Sequence, residues 1–301
     1  MDAFVTGANG YIGAAVARVL AEAGMAVRAG VRRAVALPSW VEPVVTGDLA
    51  EAAPDFAGIS VVVHAAGLGH RRGVPEAVWR RANVDAPVTV ARAARAAGVA
   101  RFVLVSTAHV HGRVHAGVVR DGSALRPMDE YAASKVEAER AVAAEFGAGL
   151  TIVRPVAVIG PRCPGNLQLV MAFLQARRLL PFGSIANRRS FIDVGDLARL
   201  VLAVIGAEAA LDVVLAAHPE AIATPALIRA LARGMGVEAR LLPFPPAILA
   251  AAARLSGRGA MWQSLAGSFV AAPEAALALG WKPHKTLEES LVRTGANYAV
   301  S

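Results

Sequence analysis

Val5-Thr6-Gly7-Ala8-Asn9-Gly10-Tyr11-Ile12-Gly13 decides how the rest of the chain is read. The apolar run Ala3–Thr6 enters this stretch as a strand, and Tyr11–Ala23 leaves it with helical spacing. Three glycines at G-x-x-G-x-x-G spacing between a strand and a helix have separate physical uses. Gly7 permits a tight turn, Gly10 lets the backbone approach a pyrophosphate, and Gly13 lets helix and strand pack closely. The free N–H groups and positive end of the helix would then face the phosphates. A glycine triplet by itself is weak. Its place between strand and helix makes it a dinucleotide-binding loop.

Further strands are predicted at Ala26–Val31, Ser60–His64, Arg101–Ser106 and Leu150–Arg154, with a short third strand ahead of Gly47-Asp48-Leu49. Helices are predicted at Trp79–Ala97 and Asp129–Phe146. Strand and helix in alternation give βαβ units, and near-continuously apolar strands imply helices on both faces. The fold class is therefore α/β with a doubly wound parallel Rossmann sheet. Gly160-Pro161-Arg162-Cys163-Pro164-Gly165 breaks the rhythm and marks a long loop. Beyond it, helices are predicted at Leu167–Arg178, Val194–Ile205, Pro225–Gly234, Ala247–Leu255, Pro273–Ala278 and Leu287–Asn297, with an extended piece at Asp212–Ala216. The expected division is a Rossmann domain at 1–159 and a smaller, mainly helical substrate lobe at 160–301, with about 186–217 packing back on the first.

Of the 301 residues, 55% are hydrophobic and 18% charged, which assures a sizeable core and excludes a disordered chain. Lysine and arginine number 31 against 23 acidic residues, a net charge of +8 that suits anionic ligands. One cysteine, Cys163, excludes an internal disulfide and multi-cysteine zinc sites. No apolar run reaches the ~18–20 residues of a membrane span. Met1-Asp2-Ala3-Phe4-Val5 carries neither a basic region nor a long apolar leader, so the expectation is a cytoplasmic protein without a secretory signal.

The second strand ends Val27-Arg28-Ala29-Gly30-Val31-Arg32-Arg33, without the carboxylate that binds the ribose 2′-hydroxyl in NAD sites. Arginine grips a 2′-phosphate with a bidentate fork, so Arg32, then Arg33, favours NADP(H), with NAD(H) as the alternative. A solvated basic turn is the plainer explanation of the same residues. Asp48 could accept from an adenine amino group, beside Leu49.

Tyr131-Ala132-Ala133-Ser134-Lys135 puts a phenol and an ammonium on one helical face. Carbonyl reduction needs a hydride from nicotinamide and a proton for the nascent alkoxide. A free tyrosine titrates near 10 and has to come down toward about 7 to 8 to act readily near neutrality. Lys135 and an oxidised nicotinamide would both favour the phenolate. Ser106-Thr107 supplies hydroxyls at the carboxyl end of the fifth strand, where open α/β sheets bind ligands.

Together these motifs resemble an extended short-chain dehydrogenase/reductase of the NAD(P)-dependent nucleotide-sugar epimerase/dehydratase type, over essentially the whole chain. Matching residues are Thr6–Gly13, His64-Ala65-Ala66-Gly67, Asn83-Val84, Ser106-Thr107-Ala108, Tyr131 with Lys135, and Arg154-Pro155. The resemblance implies Thr107, Tyr131 and Lys135 as catalytic. It implies Ala65, Ala66, Gly67, Asn83 and Ser106 at the cofactor, with Pro155 backing the nicotinamide and Val158 in the same set. Asn9, Tyr11 and Ile12 join the glycines. Asn166 and Arg189 match contacts to a substrate diphosphate, and Thr107 and His109 complete the substrate set. Leu180-Pro181-Phe182-Gly183-Ser184 through Arg189-Ser190-Phe191, Leu241-Leu242-Pro243, Gly259-Ala260-Met261-Trp262-Gln263 and Leu279-Gly280-Trp281 resemble bacterial reductases of UDP-4-keto-6-deoxy-N-acetylhexosamine. The expected substrate is thus a UDP-sugar and the expected assembly a homodimer. Val110-His111-Gly112 departs from the Val-Tyr-Gly frequent in epimerases.

Three alternatives stand beside an NADPH-dependent 4-keto reductase: an epimerase holding NAD tightly, a reductase of a non-sugar ketone or aldehyde, and a non-catalytic NADP-sensing regulator. His64, His70, His109, His111 and His115 read as polar pocket lining, with no metal, since no carboxylate or cysteine completes a site. Cys163 reads as a bystander thiol. Arg71-Arg72, Arg80-Arg81 and Arg177-Arg178 are scattered, without the interleaved aromatics of a nucleic-acid surface. Phe244-Pro245-Pro246-Ala247-Ile248-Leu249 leads into an apolar helix for which core burial is expected, in preference to a membrane surface or a partner.

Overall fold

The structure, a computed structural model, describes residues 1–69, 73–176 and 179–298. Its centre is a seven-stranded sheet of β1 (Asp2–Thr6), β2 (Ala26–Val31), β3 (Glu42–Val45), β4 (Val61–His64), β5 (Arg101–Val105), β6 (Leu150–Pro155) and β7 (Val213–Ala216). The order is β7-β6-β5-β4-β1-β2-β3, every pair parallel. Strand order reverses between β1 and β4, which opens a crevice at their carboxyl ends. Thr6 and His64 are register partners there.

Alternation along β1 shows why both faces are covered. Ala3 and Val5 join one apolar cluster with Val16, Leu197 and Leu200, while Phe4 joins the other with Val90, Phe102 and Phe146. Helices Tyr11–Glu22 and Val194–Gly206 lie on the first face, and Ala86–Ala96 and Glu130–Phe146 pack together on the second. Beyond the carboxyl ends sits a third cluster, with Ile159, Leu174, Leu180, Leu227, Leu231 and Leu291. It is built from helices Asn166–Ala176, Thr224–Gly234 and Leu287–Ala296 and the three-stranded sheet of Ala157–Ile159, Arg189–Asp193 and Ala221–Ile222.

Three differences from the sequence expectations matter. The helix expected over Trp79–Ala97 begins at Glu76 and contains a π-helical turn, Arg81–Asp85. A helix at Gly259–Ala266 was not expected, because its glycine and short length hide any period. The apolar helix Pro246–Leu255 has no buried residue, against the expected core burial; its main packing partner among the described residues is the short helix 259–266. The end of the helix expected at 167–178, with Arg177 and Arg178, lies outside the described residues, as do His70, Arg71 and Arg72.

Candidate active site

The glycine loop is shaped by contacts that a side chain would destroy. Gly7 has φ +65°, and a Cβ there would sit 2.8 Å from the backbone nitrogen and Cα of Ala66. A Cβ on Gly13 would lie 2.2 Å from the Gly7 carbonyl oxygen. Gly10 caps helix 11–22 with no side-chain cap bond, which leaves that helix end to a ligand. Asn9 is exposed beside it, and Ile12 packs half-buried on the sheet core. This cradle fits a dinucleotide pyrophosphate. Tyr11 turns its ring toward the lobe cluster. Its hydroxyl is buried near Gly160, where a Cβ would come within 2.9 Å, and burial, then Cys163 and Asp193, push its pKa up.

Opposite the loop, Ala66 N donates to Thr6 Oγ1 at 3.2 Å, and Thr6 Oγ1 meets His64 Nδ1 at 3.1 Å. His64 is wholly buried, so burial and then the Lys135 charge push its pKa down to about 3. It is a neutral packing residue, not pocket lining. Asn83, on the π-helical turn, accepts from Leu68 N at 2.8 Å and donates to Leu68 O at 3.1 Å and to Ser134 Oγ at 3.0 Å. Asn83 thereby staples the 65–68 loop to the helix that carries Tyr131. Arg32 and Arg33 are exposed just past β2. Asp48 is already engaged: it accepts from Ala50 N at 3.0 Å and pairs with Arg81 Nε at 2.9 Å. The Ala50 hydrogen bond and Arg81 hold its carboxyl below the usual range, with a smaller pull from Arg32. Leu49 is buried beneath it.

The catalytic candidates come together at the ends of β5 and of helix 130–146. Asp129 caps that helix by accepting from Ala132 N at 2.7 Å, which fixes Tyr131 in the first turn. Burial pushes the Tyr131 phenol up to about 12, partly offset by its hydrogen bond with Thr107. The depression expected from Lys135 is therefore not present in the chain itself, which holds the phenol protonated. The ring of Trp79 lies 5.7 Å away. Lys135 is buried and donates from Nζ to Val105 O at 3.0 Å, and burial brings its pKa down to about 8, opposed by Glu139. Its Nζ also lies 3.7 Å from where a Cβ on Gly67 would stand.

The Ser106 hydroxyl donates to Glu139, beneath the site. Glu139 also takes Arg154 Nε at 3.1 Å and Nη2 at 2.7 Å in a buried ion pair. Arg154 Nη1 stands 3.3 Å from His111 Nε2, whose Nδ1 reaches Ala124 O at 3.1 Å. His111 is thus buried scaffolding where pocket lining was expected, and the His115 ring bonds to Gly117 while its backbone N–H donates to Ser268 O at 2.9 Å. His109 is half-buried, and its N–H donates to Thr107 Oγ1 at 3.2 Å. Pro155 is buried at the end of β6, and Val158 is half-buried on the next strand. Glu139 was missed from sequence, although Tyr131, Lys135 and Glu139 step along one face at i, i+4, i+8.

On the lobe side, Arg189 donates from Nη1 to Gly267 O at 2.9 Å and Gln263 O at 3.4 Å. Burial alone brings its pKa down to about 10. No carboxylate among the described residues pairs with it. Asn187, also missed, donates to Leu265 O and Gly267 O, each at 3.0 Å, and accepts from Thr224 N at 2.9 Å. Asn166 is exposed at the first turn of helix 166–176. Cys163 is buried, its thiol pushed up to about 11 by burial. Among the described residues, no three His, Cys, Asp or Glu side chains gather as for a metal, and no helix is long and apolar enough to cross a membrane.

Residues 3–216 match the model of the NAD dependent epimerase/dehydratase family. The chain belongs to this family. A UDP-glucose 4-epimerase of Vibrio cholerae is 30% identical, over 96% of this chain and 93% of that protein. A ceramide reductase of Caulobacter vibrioides is 35% identical, over 87% of this chain and 78% of its own length. Two solved structures share the fold at low identity. UDP-glucuronic acid 4-epimerase from Bacillus cereus, in complex with NAD, has TM-score 0.78 at 18% identity, covering 100% of this chain and 99% of its own. Human epimerase family protein SDR39U1, with NADPH, has TM-score 0.79 at 20% identity, covering 99% of this chain and 100% of its own. Members of the family are NAD(P)-dependent enzymes of the oxidoreductase type, and this chain is one of them. Neighbours in the fold hold either NAD or NADPH.

Proposed function

We propose that the chain is a cytoplasmic, NADPH-dependent reductase of the 4-keto group of a UDP-linked deoxy-amino sugar. One observation carries the reading: the Tyr131 phenol, half-buried and hydrogen-bonded to Thr107, with Lys135 one turn along the same helix, at the carboxyl end of the sheet. The nicotinamide, when bound, supplies the hydride. Tyr131 donates the phenolic proton to the oxygen that becomes alkoxide, and Thr107 Oγ1 positions that oxygen by hydrogen bonding. Lys135, charged below about pH 8, favours the phenolate left behind and holds the nicotinamide ribose. Arg32 and Arg33 would take the 2′-phosphate. Arg189, bonded to carbonyls alone, keeps its charge for a diphosphate, with Asn166 beside that path. In this reading 1–159 is the cofactor half and 160–301 the substrate half, and pairs of chains join through helices 86–96 and 130–146.

Thermal melting with NADP, NAD and UDP, alone and combined, tests the reading, since a ligand of the native state raises Tm. NADP should stabilise more than NAD, and UDP should add to NADP. A larger shift with NAD would remove the cofactor assignment, and no response to UDP would remove the sugar nucleotide. A second reading, reduction of a ketone on a long apolar chain, is favoured by the exposed apolar helix 246–255, next to the segment that Arg189 holds. The ceramide reductase relative supports it too. Under that reading Arg189→Ala leaves turnover intact.

A further inference from the structure

We propose that the outer face of the substrate lobe, centred on helix Pro246–Leu255, is a docking surface for an anionic phospholipid bilayer. This inference rests on neither substrate reading.

The first observation is an inverted helix. A surface helix ordinarily turns its apolar stripe inward and its polar stripe to water. Here Ile248, Ala251, Ala252 and Leu255, spaced i, i+3, i+4, i+7, form the exposed stripe, while Leu249, Ala250 and Ala253 are half-covered. Ile248 is 55% exposed and Leu255 91%. The only charged residue in the helix is Arg254, also exposed.

The second is the neighbourhood. Leu179–Leu180 pairs with Arg240–Leu241, Leu242 N donates to Leu180 O at 2.8 Å, and Gly183 N donates to Leu242 O at 2.9 Å. The exposed side chains Leu179 and Leu242 thereby lie in the strand pair that leads into the helix. Leu169 and Phe173, one turn apart, are exposed on the helix leading into that strand. Among the described residues beyond 159, every exposed large apolar side chain apart from Leu277 lies in these two stretches, while those of the first half, such as Val35, Trp40, Val78 and Met128, are spread along the chain. Scattered single apolar residues need no explanation, but a concentration like this one does.

The third is charge, which chooses the occupant. There is no aspartate or glutamate from Phe146 to Ile192, nor from Arg240 to Pro273. Arginines are not excluded: Arg254, within the helix, and Arg258, just past it, are exposed, and among the described residues neither has a carboxylate partner, while Arg240 pairs with Glu238 at 3.6 Å. An exposed apolar stripe with two unpaired arginines on the same acid-free segment matches an interfacial helix on an anionic membrane. A protein partner would not require a segment that admits arginines and no acid. Docking here would also set the 263–267 segment, and with it Arg189, close to the lipid surface.

Flotation of the full chain tests this, with phosphatidylcholine vesicles prepared with and without phosphatidylglycerol. The chain should float with the anionic vesicles and stay behind with neutral ones. Ile248→Glu with Leu255→Glu should weaken binding by at least about tenfold, with Tm and NADPH binding unchanged because both sites are exposed. Arg254→Gln and Arg258→Gln should each weaken it about fivefold, and less at high salt. Absence of flotation, or equal binding to neutral vesicles, would overturn the proposal. So would self-association of the wild type that the glutamate variant abolishes, which would make the face a contact between copies. Failure of the UDP melting test leaves this one standing, and the reverse holds.

Discussion

Helix Val194–Gly206 and helix Pro246–Leu255 are almost equally apolar, yet the first buries nine residues and the second none. Hydropathy does not separate them; what lies within reach does. The first is capped by Asp193, whose Oδ1 accepts from Gly195 N at 2.8 Å, and it falls directly against helix 11–22 and the sheet core. The second follows Pro245 and has a short helix, 259–266, as its main packing partner among the described residues. An apolar helix therefore states a need for cover, while topology decides whether the chain itself supplies it. The candidate site divides in the same way. On the sheet side Tyr131, Lys135, Asn83 and Glu139 have their partners within the chain. On the lobe side Arg189 has only carbonyls and Asn166 is exposed.

The largest effect should come from the prearranged side. Tyr131→Phe removes the proposed proton donor and leaves ring packing against Trp79 in place. Turnover should fall by up to about 10⁴-fold, with NADPH affinity unchanged by titration and Tm nearly so. Full activity in that variant would erase the distinction, since the prepared wall would then do no chemistry.

Next is the buried pair beneath it. Glu139→Gln leaves Arg154 buried without its counter-charge, which should cost about 3 to 5 kcal/mol in urea unfolding. The same change has a kinetic signature that simple destabilisation lacks. Glu139 raises the Lys135 pKa, so without it Lys135 loses its proton at a lower pH. In the wild type, reductase turnover should fall as pH rises through about 8; in Glu139→Gln that fall should begin earlier. Unfolding does not mimic it. Lys135 titrates near 8 in the fold and higher when unfolded, so between those values the unfolded chain binds the proton more tightly and its contribution to stability rises with pH. An unmoved profile would make Glu139 scaffolding alone.

The sheet side was also the legible side. The glycine loop, the strand ends and the Tyr131–Lys135 spacing are local rules, satisfied within one turn or one strand, so residues alone reveal them. Glu139 needed only one more turn of the same reasoning. Asn83 reveals its contacts less readily, because the π-helical turn at Arg81–Asp85 changes which way a side chain points and leaves no mark in an apolar period. Asp48 and Ser106 have partners that the sequence does not reveal, for a different reason. Each stands at a suitable place in the chain, but Arg81 and Glu139, 33 residues away in each case, reach it in the fold. On the lobe side helix 246–255 was legible as a helix, and its burial was not. Its spacing is that of a core helix, and nothing local reports how little of it the other described elements cover.

The smallest effect therefore sharpens the comparison most. Leu197→Ala removes a side chain with no exposure from the helix that found cover and should cost about 2 to 5 kcal/mol, with a cavity left behind. Ile248→Ala makes the same kind of truncation in the helix that did not, where the side chain is 55% exposed. Its effect in urea unfolding of the protein in solution should stay within about 0.5 kcal/mol. Equal losses would mean that helix 246–255 is packed in solution after all, most simply against a second copy. Then its apolar outer stripe would be an ordinary interface, and the argument from exposure to a lipid surface would fail at its first step.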